Sequence, residues 1–452
     1  MRTHNLLRTK LIASRALQPR THRQSISASF QKADFSANSA NSQPANSNGG
    51  TIKVSVTPSG LKTASDDGYT PVASLGIYLS AGSSMEMDTK AGLSHLFSKM
   101  AFRSTKLRSD LRLYRDIEKI GGIIEKQAGR NFVQYHINVL PDNLEEAFVI
   151  LSETTLTPCF HDWDIKTMKQ NCRNDYDELM KNGEASVMEA LHAAAFYDDV
   201  SLGRPVYSLD NLETFDGETL WKFYDSHVNK SNSAITAYGI KHELLTSMAT
   251  AYFSELPTSS TTSQAPASKY VGGEYRVKNL SHAHTYVALA FQTGGKSSND
   301  YANCQVLKAL LSARLRGTNM QGFLVGYDDV GLVGAMGYAP PEEAGALVDR
   351  LAAELKKIAS NLPSQKEVDA AKSIATLDVL SESNVRSNRM SILGSAALSQ
   401  ALVPTQNIIF DGVTANSIMH LAHQSLKKLP SLASVGRLSN VPHLQDVLPK
   451  LK

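Results

Sequence analysis

The sequence is poor in cysteine and has no long apolar run, although it comprises 452 residues. Its three cysteines, Cys159, Cys172 and Cys304, are too few and too widely spaced for a disulfide framework or a cysteine-rich zinc site, so we expect reduced thiols. No stretch approaches the roughly 20 consecutive apolar residues of a spanning helix, and we expect no transmembrane helix. The apolar content of 42% and the net charge of +3 argue against disorder for most of the chain.

Acidic residues are absent from positions 1–33, which hold seven Arg and Lys residues. Arginines spread among Ser, Thr and Leu are typical of a mitochondrial transit peptide, and we expect one at 1–33. A basic arm that contacts acidic lipid or RNA is the alternative. Because the whole chain carries +3, the part from Asp34 onward carries −4, which gives no reason to expect nucleic-acid binding.

Two low-complexity stretches divide the remaining chain. Residues 34–50 are rich in Asn, Ser and Ala and predict a flexible lead-in, and residues 258–268 (TSSTTSQAPAS) predict a linker. They separate an N-terminal domain at 51–257 from a C-terminal domain at 269–452. Because the two blocks are nearly equal in length, we searched them for an internal repeat.

Four weak similarities recur in the same order in both blocks. An alternating apolar strand at Leu75, Ile77 and Leu79 is matched 212 positions later at 287–291, and LHAAAF (191–196) is matched by LGSAAL (393–398). The other two are an amphipathic helix after each strand and a second helix after Pro141 and Pro340. We therefore predict an α+β fold of two homologous domains, each a mixed β-sheet packed with helices. The alternation predicts that the first strand is half-buried.

Residues 92–100 (GLSHLFSKM) resemble the zinc-binding helix of the pitrilysin-type metallopeptidases, whose motif is H-x-x-E-H. Residues 114–131, LHAAAF and the Gly203-Arg204-Pro205 turn also match family segments, and the resemblance extends from 51 to about 440. It implies a metallopeptidase-like fold of two domains joined by a linker, related to the mitochondrial processing peptidases.

The metal-binding set of the family is incomplete in this sequence. His95 holds the first ligand position, but Ser98 replaces the catalytic Glu and Lys99 replaces the second His. Counting back from LHAAAF without gaps places the third ligand position at Asp175. Zinc requires three protein ligands, and a serine cannot act as a general base near pH 7. We therefore expect vestigial positions without metal, cofactor or catalysis, a locally hydrogen-bonded His95, and an exposed acidic helix face formed by Asp175, Asp177 and Glu178.

The glycine content of residues 311–332 bears on the branch of the family. The processing-peptidase alpha subunits carry a run of adjacent glycines in this region, whereas here Gly317, Gly322, Gly326 and Gly331 are scattered. The sequence is more similar to the branch of core subunits of ubiquinol–cytochrome c reductase (complex III). That resemblance implies a non-catalytic subunit for assembly and stability of the complex, peripheral on the matrix side of the mitochondrial inner membrane.

The same resemblance implies the partners. They would be core protein 1 or a processing-peptidase beta-like subunit, together with cytochrome b, cytochrome c1 and the iron–sulfur protein. The alternative is an alpha-like, substrate-recognising subunit of a mitochondrial processing peptidase.

Overall fold

The computed structural model describes residues 51–86, 90–197, 201–258, 268–399 and 410–451. The expected transit peptide at 1–33, the lead-in at 34–50 and nearly all of the linker at 258–268 lie outside this part of the chain. Within it, no helix combines the length and the apolar character needed to span a membrane.

The first half of the chain forms a six-stranded mixed sheet. Its strand order is β1-β2-β6-β3-β5-β4, in which β2 and β6 are parallel and all other neighbours are antiparallel. The strands are β1 (Ile52–Val56), β2 (Lys62–Asp66), β3 (Ala73–Leu79), β4 (Ile123–Ala128), β5 (Val133–Val139) and β6 (Ser233–Tyr238).

Seven helices accompany this sheet within the described residues. They are α1 (Leu93–Met100), α2 (Asp110–Lys119), α3 (Leu144–Leu156), α4 (Asp162–Lys181), α5 (Gly183–Phe196), α6 (Gly217–His227) and α7 (His242–Tyr252). Acidic residues in the first turns of α3 and α4 suit the positive end of the helix dipole. All but α5 contribute buried apolar side chains to one core on this sheet.

The second half forms a five-stranded sheet of the order β7-β11-β8-β10-β9. The strands are β7 (Gly273–Lys278), β8 (Thr285–Gly294), β9 (Met320–Gly326), β10 (Val330–Ala339) and β11 (Ser431–Gly436). The helices are α8 (Tyr301–Arg314), α9 (Ala344–Ser360), α10 (Gln365–Asn384), α11 (Arg386–Ser399), α12 (Ala415–Leu426) and α13 (Leu444–Leu451). A capping box between Ser364 and Glu367 begins α10.

The two sheets share one topology. Without β1, the order β2-β6-β3-β5-β4 corresponds strand by strand to β7-β11-β8-β10-β9, and each sheet contains one parallel pair in the same place. The matched strands predicted from the sequence are β3 and β8. The predicted α+β fold of two homologous domains is confirmed.

Each half also covers the sheet of the other half with one helix, which the sequence analysis did not predict. Helix α5 packs Val187, Leu191 and Phe196 against the second sheet, whereas α11 packs Met390, Leu393 and Ala397 against the first. These two helices carry the LHAAAF and LGSAAL segments.

The predicted half-buried character of β3 is therefore wrong. All seven residues of β3 are buried, because α11 covers the face that would otherwise meet solvent. The contact is close: a Cβ on Gly394 of α11 would lie 2.2 Å from the ring of Tyr78. Tyr78 also hydrogen-bonds to the buried His136 of β5, with 2.5 Å between Oη and Nε2.

Polar contacts also join the two halves. Asp66 at the end of β2 is fully buried and forms an ion pair with Arg389 of α11, whose Nε lies 2.5 Å from Asp66 Oδ2. On the opposite side, Tyr327 donates a hydrogen bond to Nε2 of the buried His192 on α5 (2.8 Å). Nε2 is free to accept because Nδ1 donates to the carbonyl oxygen of Met188 (2.7 Å).

Candidate functional site

Helix α1 is held at its N-terminus by a buried carboxylate. Glu86 accepts hydrogen bonds from the backbone amides of Gly92 (2.9 Å) and Ser94 (2.6 Å), which an N-terminal turn would otherwise leave unpaired. Burial raises the pKa of Glu86 to about 7, although these hydrogen bonds and the charge of Arg204 oppose the rise. Gly92 adopts a φ of +90°, and a Cβ there would lie 2.7 Å from the carbonyl oxygen of Ser208. This start fixes the direction in which α1 presents its side chains.

His95 points from α1 towards α4. Its side chain is 5% exposed, and Nε2 donates a hydrogen bond to Oδ2 of Asp175 over 2.9 Å. The ring of Tyr207 packs edge-on against the imidazole, with 4.6 Å between the ring centres. The expectation of a purely local hydrogen bond is wrong, because the partner lies on another helix.

Lys99 lies one turn after His95 and forms an ion pair with the same oxygen of Asp175. Burial alone would raise the pKa of Asp175, but hydrogen bonds from His95 and Lys99 and the charge of Lys99 outweigh it and hold the pKa below its usual value. The side chain of Asp175 is only 28% exposed, so the expectation that it lies on an exposed acidic face is wrong, whereas Asp177 and Glu178 are exposed.

Ser98 does not join this cluster. Its side chain is buried, and Oγ donates to the backbone carbonyl of His95 over 2.8 Å, a common arrangement of helical serines. Of the four positions singled out in the sequence, the structure thus brings together His95, Lys99 and Asp175 and turns Ser98 towards its own helix.

Lys126 of β4 lies beside the cluster, and sequence reasoning missed it. Its Nζ donates to the carbonyl oxygens of Lys99 (2.8 Å), in the last turn of α1, and Ala101 (3.0 Å), the residue that follows the helix. Burial, and then the neighbouring charges of Arg103 and Lys99, lower its pKa to about 8. Lys126 is the single lysine of β4, and nothing in the sequence of this edge strand shows that its side chain turns inward.

The cluster does not fit a zinc ion. Zinc needs three protein ligands and an open position. Only His95 and Asp175 have suitable atoms here, and the ammonium group of Lys99 already neutralises Asp175. Across the described ranges, no group of three or more His, Cys, Asp or Glu residues could hold a metal ion.

Residues 311–332 form regular structure rather than a glycine-rich loop. They contain the end of α8, a short turn, all of β9 and the start of β10. Gly317 adopts a φ of +81° in the turn, whereas Gly322, Gly326 and Gly331 lie in the paired strands β9 and β10. Three of these four glycines are thus fixed in strand pairs, and only Gly317 lies in a turn.

Comparison with known protein families identifies the fold. Residues 62–208 match the family described as "Insulinase (Peptidase family M16)", and residues 214–375 match the family described as "Peptidase M16 inactive domain". The chain belongs to peptidase family M16. The resemblance to pitrilysin-type metallopeptidases that residues 92–100 indicated is thereby confirmed.

Curated relatives of two kinds are similar over most of the chain. The probable mitochondrial-processing peptidase subunit alpha-1 of Arabidopsis thaliana is 28% identical, covering 89% of this chain and 85% of its own length. The cytochrome b-c1 complex subunit 2 of Mus musculus is 26% identical, covering 86% and 90%, and the protein of the same name from Homo sapiens is also 26% identical, covering 86% and 90%. These mitochondrial relatives and the inactive-domain match support a non-catalytic member of family M16.

Proposed function

We propose that this chain is core protein 2 of mitochondrial ubiquinol–cytochrome c reductase, a non-catalytic subunit that supports assembly and stability of complex III. Its place would be the matrix side of the inner membrane, where it would pair with core protein 1 or a beta-like subunit and contact cytochrome b, cytochrome c1 and the iron–sulfur protein. Residues 1–33 would serve as the transit peptide, and the two domains would be 51–257 and 269–452.

The ion pair between Lys99 and Asp175 supports the non-catalytic part of the proposal. In an active enzyme of the family, the positions of His95, Lys99 and Asp175 would hold zinc, and that of Ser98 would hold the general base. Here a fixed ammonium group neutralises the carboxylate, and the serine hydroxyl is hydrogen-bonded to backbone. We interpret these four residues as vestigial zinc-site positions.

The single observation that carries the choice of branch is the structure of residues 311–332. A substrate-recognising alpha subunit would need adjacent glycines, because only glycine reaches positive φ freely and lets backbone approach a peptide closely. The turn before β9 offers one such residue, Gly317, and the other glycines are fixed in strand pairs.

The second candidate is an alpha-like, substrate-recognising subunit of a mitochondrial processing peptidase. It is favoured by the similarity to the Arabidopsis thaliana alpha-1 subunit, which covers 89% of this chain. Both candidates lack a metal site of their own, so zinc content does not distinguish them. The proteins with which the chain associates do.

Native electrophoresis of mitochondrial membranes tests the proposal directly. The full chain, tagged at its C-terminus and expressed in its own host, is solubilised with a mild detergent, and the band that contains it is identified by mass spectrometry. We expect co-migration with cytochrome b, cytochrome c1 and the iron–sulfur protein. Migration as a soluble pair with a beta-type peptidase subunit would instead support the second candidate.

A reconstitution assay gives an independent answer. A beta-type subunit with an intact H-x-x-E-H motif is mixed with this chain, and cleavage of a model presequence peptide is followed. The beta subunit alone and the beta subunit with its established alpha partner are the controls. We expect this chain to add no cleavage above that of the beta subunit alone.

A further inference from the structure

A small cavity lies where helix α5 begins, between the first half of the chain and the second sheet. Its volume is about 130 Å³. Side chains of α5, β8, β9 and β10 line it, namely Glu184, Val187, Tyr286, Met320, Met336 and Tyr338. Polar residues of the turn into β9, at 318–321, also line it. Glu184 and most of 318–321 are exposed, so they form the mouth of what we call the Glu184 cavity.

The volume of the cavity sets the size of its occupant. A water molecule takes up about 30 Å³ in the liquid, and pockets for drug-sized ligands measure about 300–1,000 Å³. The Glu184 cavity therefore fits the end of one side chain or a small head group. It is too small for a nucleotide or for a folded segment of a partner.

Two tyrosine rings form one wall of the cavity. Tyr286 of β8 and Tyr338 of β10 are directly opposite each other in the sheet, with 5.7 Å between the ring centres. Gly183 packs so closely against Tyr286 that a Cβ there would lie 2.0 Å from the ring. The rings of His282 and His284 pack edge-on against the two tyrosines. Rings that are fixed and only half-buried can present their negative faces to a cation.

Glu184 supplies a negative charge at the mouth. It is the one charged residue among the described residues that line the cavity, and its carboxylate has no ion pair or hydrogen bond anywhere in the described ranges. The N-terminus of α5 offers little to an anion, because Asn182 already accepts from the amides of Ala185 (3.1 Å) and Ser186 (2.9 Å). The lining therefore favours a cation over an anion.

The charges beside the cavity do not reverse this preference. Lys181, Glu189 and Arg316 lie within three positions of lining residues in the sequence, but none of them lines the cavity. Glu189 is paired with Arg130 (2.7 Å). Lys181 and Arg316 are exposed, so water and salt weaken their repulsion of a cation. An occupant in direct contact with the lining meets the carboxylate of Glu184 alone.

We propose that the Glu184 cavity binds a guanidinium or alkylammonium group, carried by an Arg or Lys side chain of another protein or by a free small molecule. The cation lies against Tyr286 and Tyr338 and pairs with Glu184. Its alkyl stem packs against Met320 and Met336, whose flexible side chains adapt to its shape. This inference does not depend on the proposed function.

Titration of the full chain with capped arginine tests the inference. The methionine methyl groups are labelled with ¹³C and followed by NMR, since Met320 and Met336 line the cavity and Met248 belongs to the core of the first half. N-acetyl-arginine amide should shift the signals of Met320 and Met336 but not that of Met248. N-acetyl-citrulline amide, which has almost the same shape without the charge, should bind about tenfold more weakly.

Free arginine distinguishes the two sources of the cation. Its own carboxylate would lie near Glu184 at the mouth of the cavity, where the two negative charges repel each other. Tighter binding of the capped form therefore assigns the cavity to a side chain of another protein. Tighter binding of free arginine assigns it to a small molecule.

Substitutions separate direct contact from general charge. Glu184→Gln should weaken the binding of capped arginine about tenfold, and Tyr338→Leu about threefold. The matched control is Lys181→Gln, which removes a nearby charge outside the lining and should not weaken binding. Equal binding of the two capped amides to the unaltered chain, or binding of neither, would overturn the proposal whatever the folding of the variants. So would undiminished binding to Glu184→Gln, or shifts that spare Met320 and Met336.

Discussion

The buried ion pair between Asp66 and Arg389 gives the sharpest prediction on stability. The Arg389→Met variant keeps most of the side-chain volume but removes the charge that compensates Asp66. Asp66 is fully buried and would retain one described hydrogen bond, from the amide of Gly68 at 3.0 Å. Removing one partner of a buried pair costs about 3–5 kcal/mol, because the remaining charge cannot reach water. Because the two halves form one unit, Gly49–Lys452, this loss corresponds to a decrease of about 5 °C in the melting temperature.

The matched control is Arg386→Met on the same helix. Arg386 is only half-buried, and its Nη2 lies 3.4 Å from Thr70 Oγ1, so we expect a loss below about 1 kcal/mol. Urea unfolding of the full chain, followed by far-ultraviolet circular dichroism, measures both variants. Adding Asp66→Asn to Arg389→Met removes the uncompensated charge and should restore part of the stability. The reasoning fails if the two methionine variants are equally stable, or if Asp66→Asn further destabilises Arg389→Met.

Three more predictions concern the zinc-site positions and the buried histidines. The double variant Ser98→Glu, Lys99→His should bind about one Zn²⁺ per chain after dialysis, because Asp175 then becomes a metal ligand rather than the counter-ion of a lysine. Atomic emission measures the bound zinc. Adding Asp175→Ala to this variant should abolish zinc binding. Burial lowers the pKa of His136 to about 4 from an ordinary 6.5, so the unfolded chain binds more protons between these two pH values. The free energy of unfolding should therefore fall by about 3 kcal/mol as the pH drops through this window. The His136→Gln variant should show a smaller dependence of the free energy of unfolding on pH. Tyr327→Phe leaves Nε2 of His192 without its donor and should cost about 1–3 kcal/mol in urea unfolding, whereas Tyr69→Phe, at an 82% exposed position, should cost nothing measurable.

Local patterns predicted individual elements well. The alternation at Leu75, Ile77 and Leu79 corresponds to β3, and its match at 287–291 lies within β8. Gapless counting from LHAAAF placed Asp175 at the position where the structure brings it to His95. Those inferences depend only on neighbours in sequence or on an uninterrupted helix.

Contacts between distant segments were not predictable in the same way. Ser74, Gly76 and Tyr78 alternate with the apolar residues of β3 and indicate a solvent-facing side. In the fold that side is covered by α11, and Tyr78 pairs its hydroxyl with His136. Small and hydroxyl-bearing residues suit either environment, so the sequence could not show which helix covers them. Likewise, nothing near Asp175 in the sequence indicated its ion pair with Lys99.

The reciprocal packing of α5 and α11 affects how this chain can be divided. Neither half contains all the side chains that shield its own sheet from water, so a cut within 258–268 should yield fragments that are insoluble alone and recover structure when mixed. A protein made of one such repeat could shield its sheet in the same way if its helix packed against the sheet of a second copy. The duplication in this sequence thus joins into one polypeptide an arrangement that a symmetric pair of shorter chains could form.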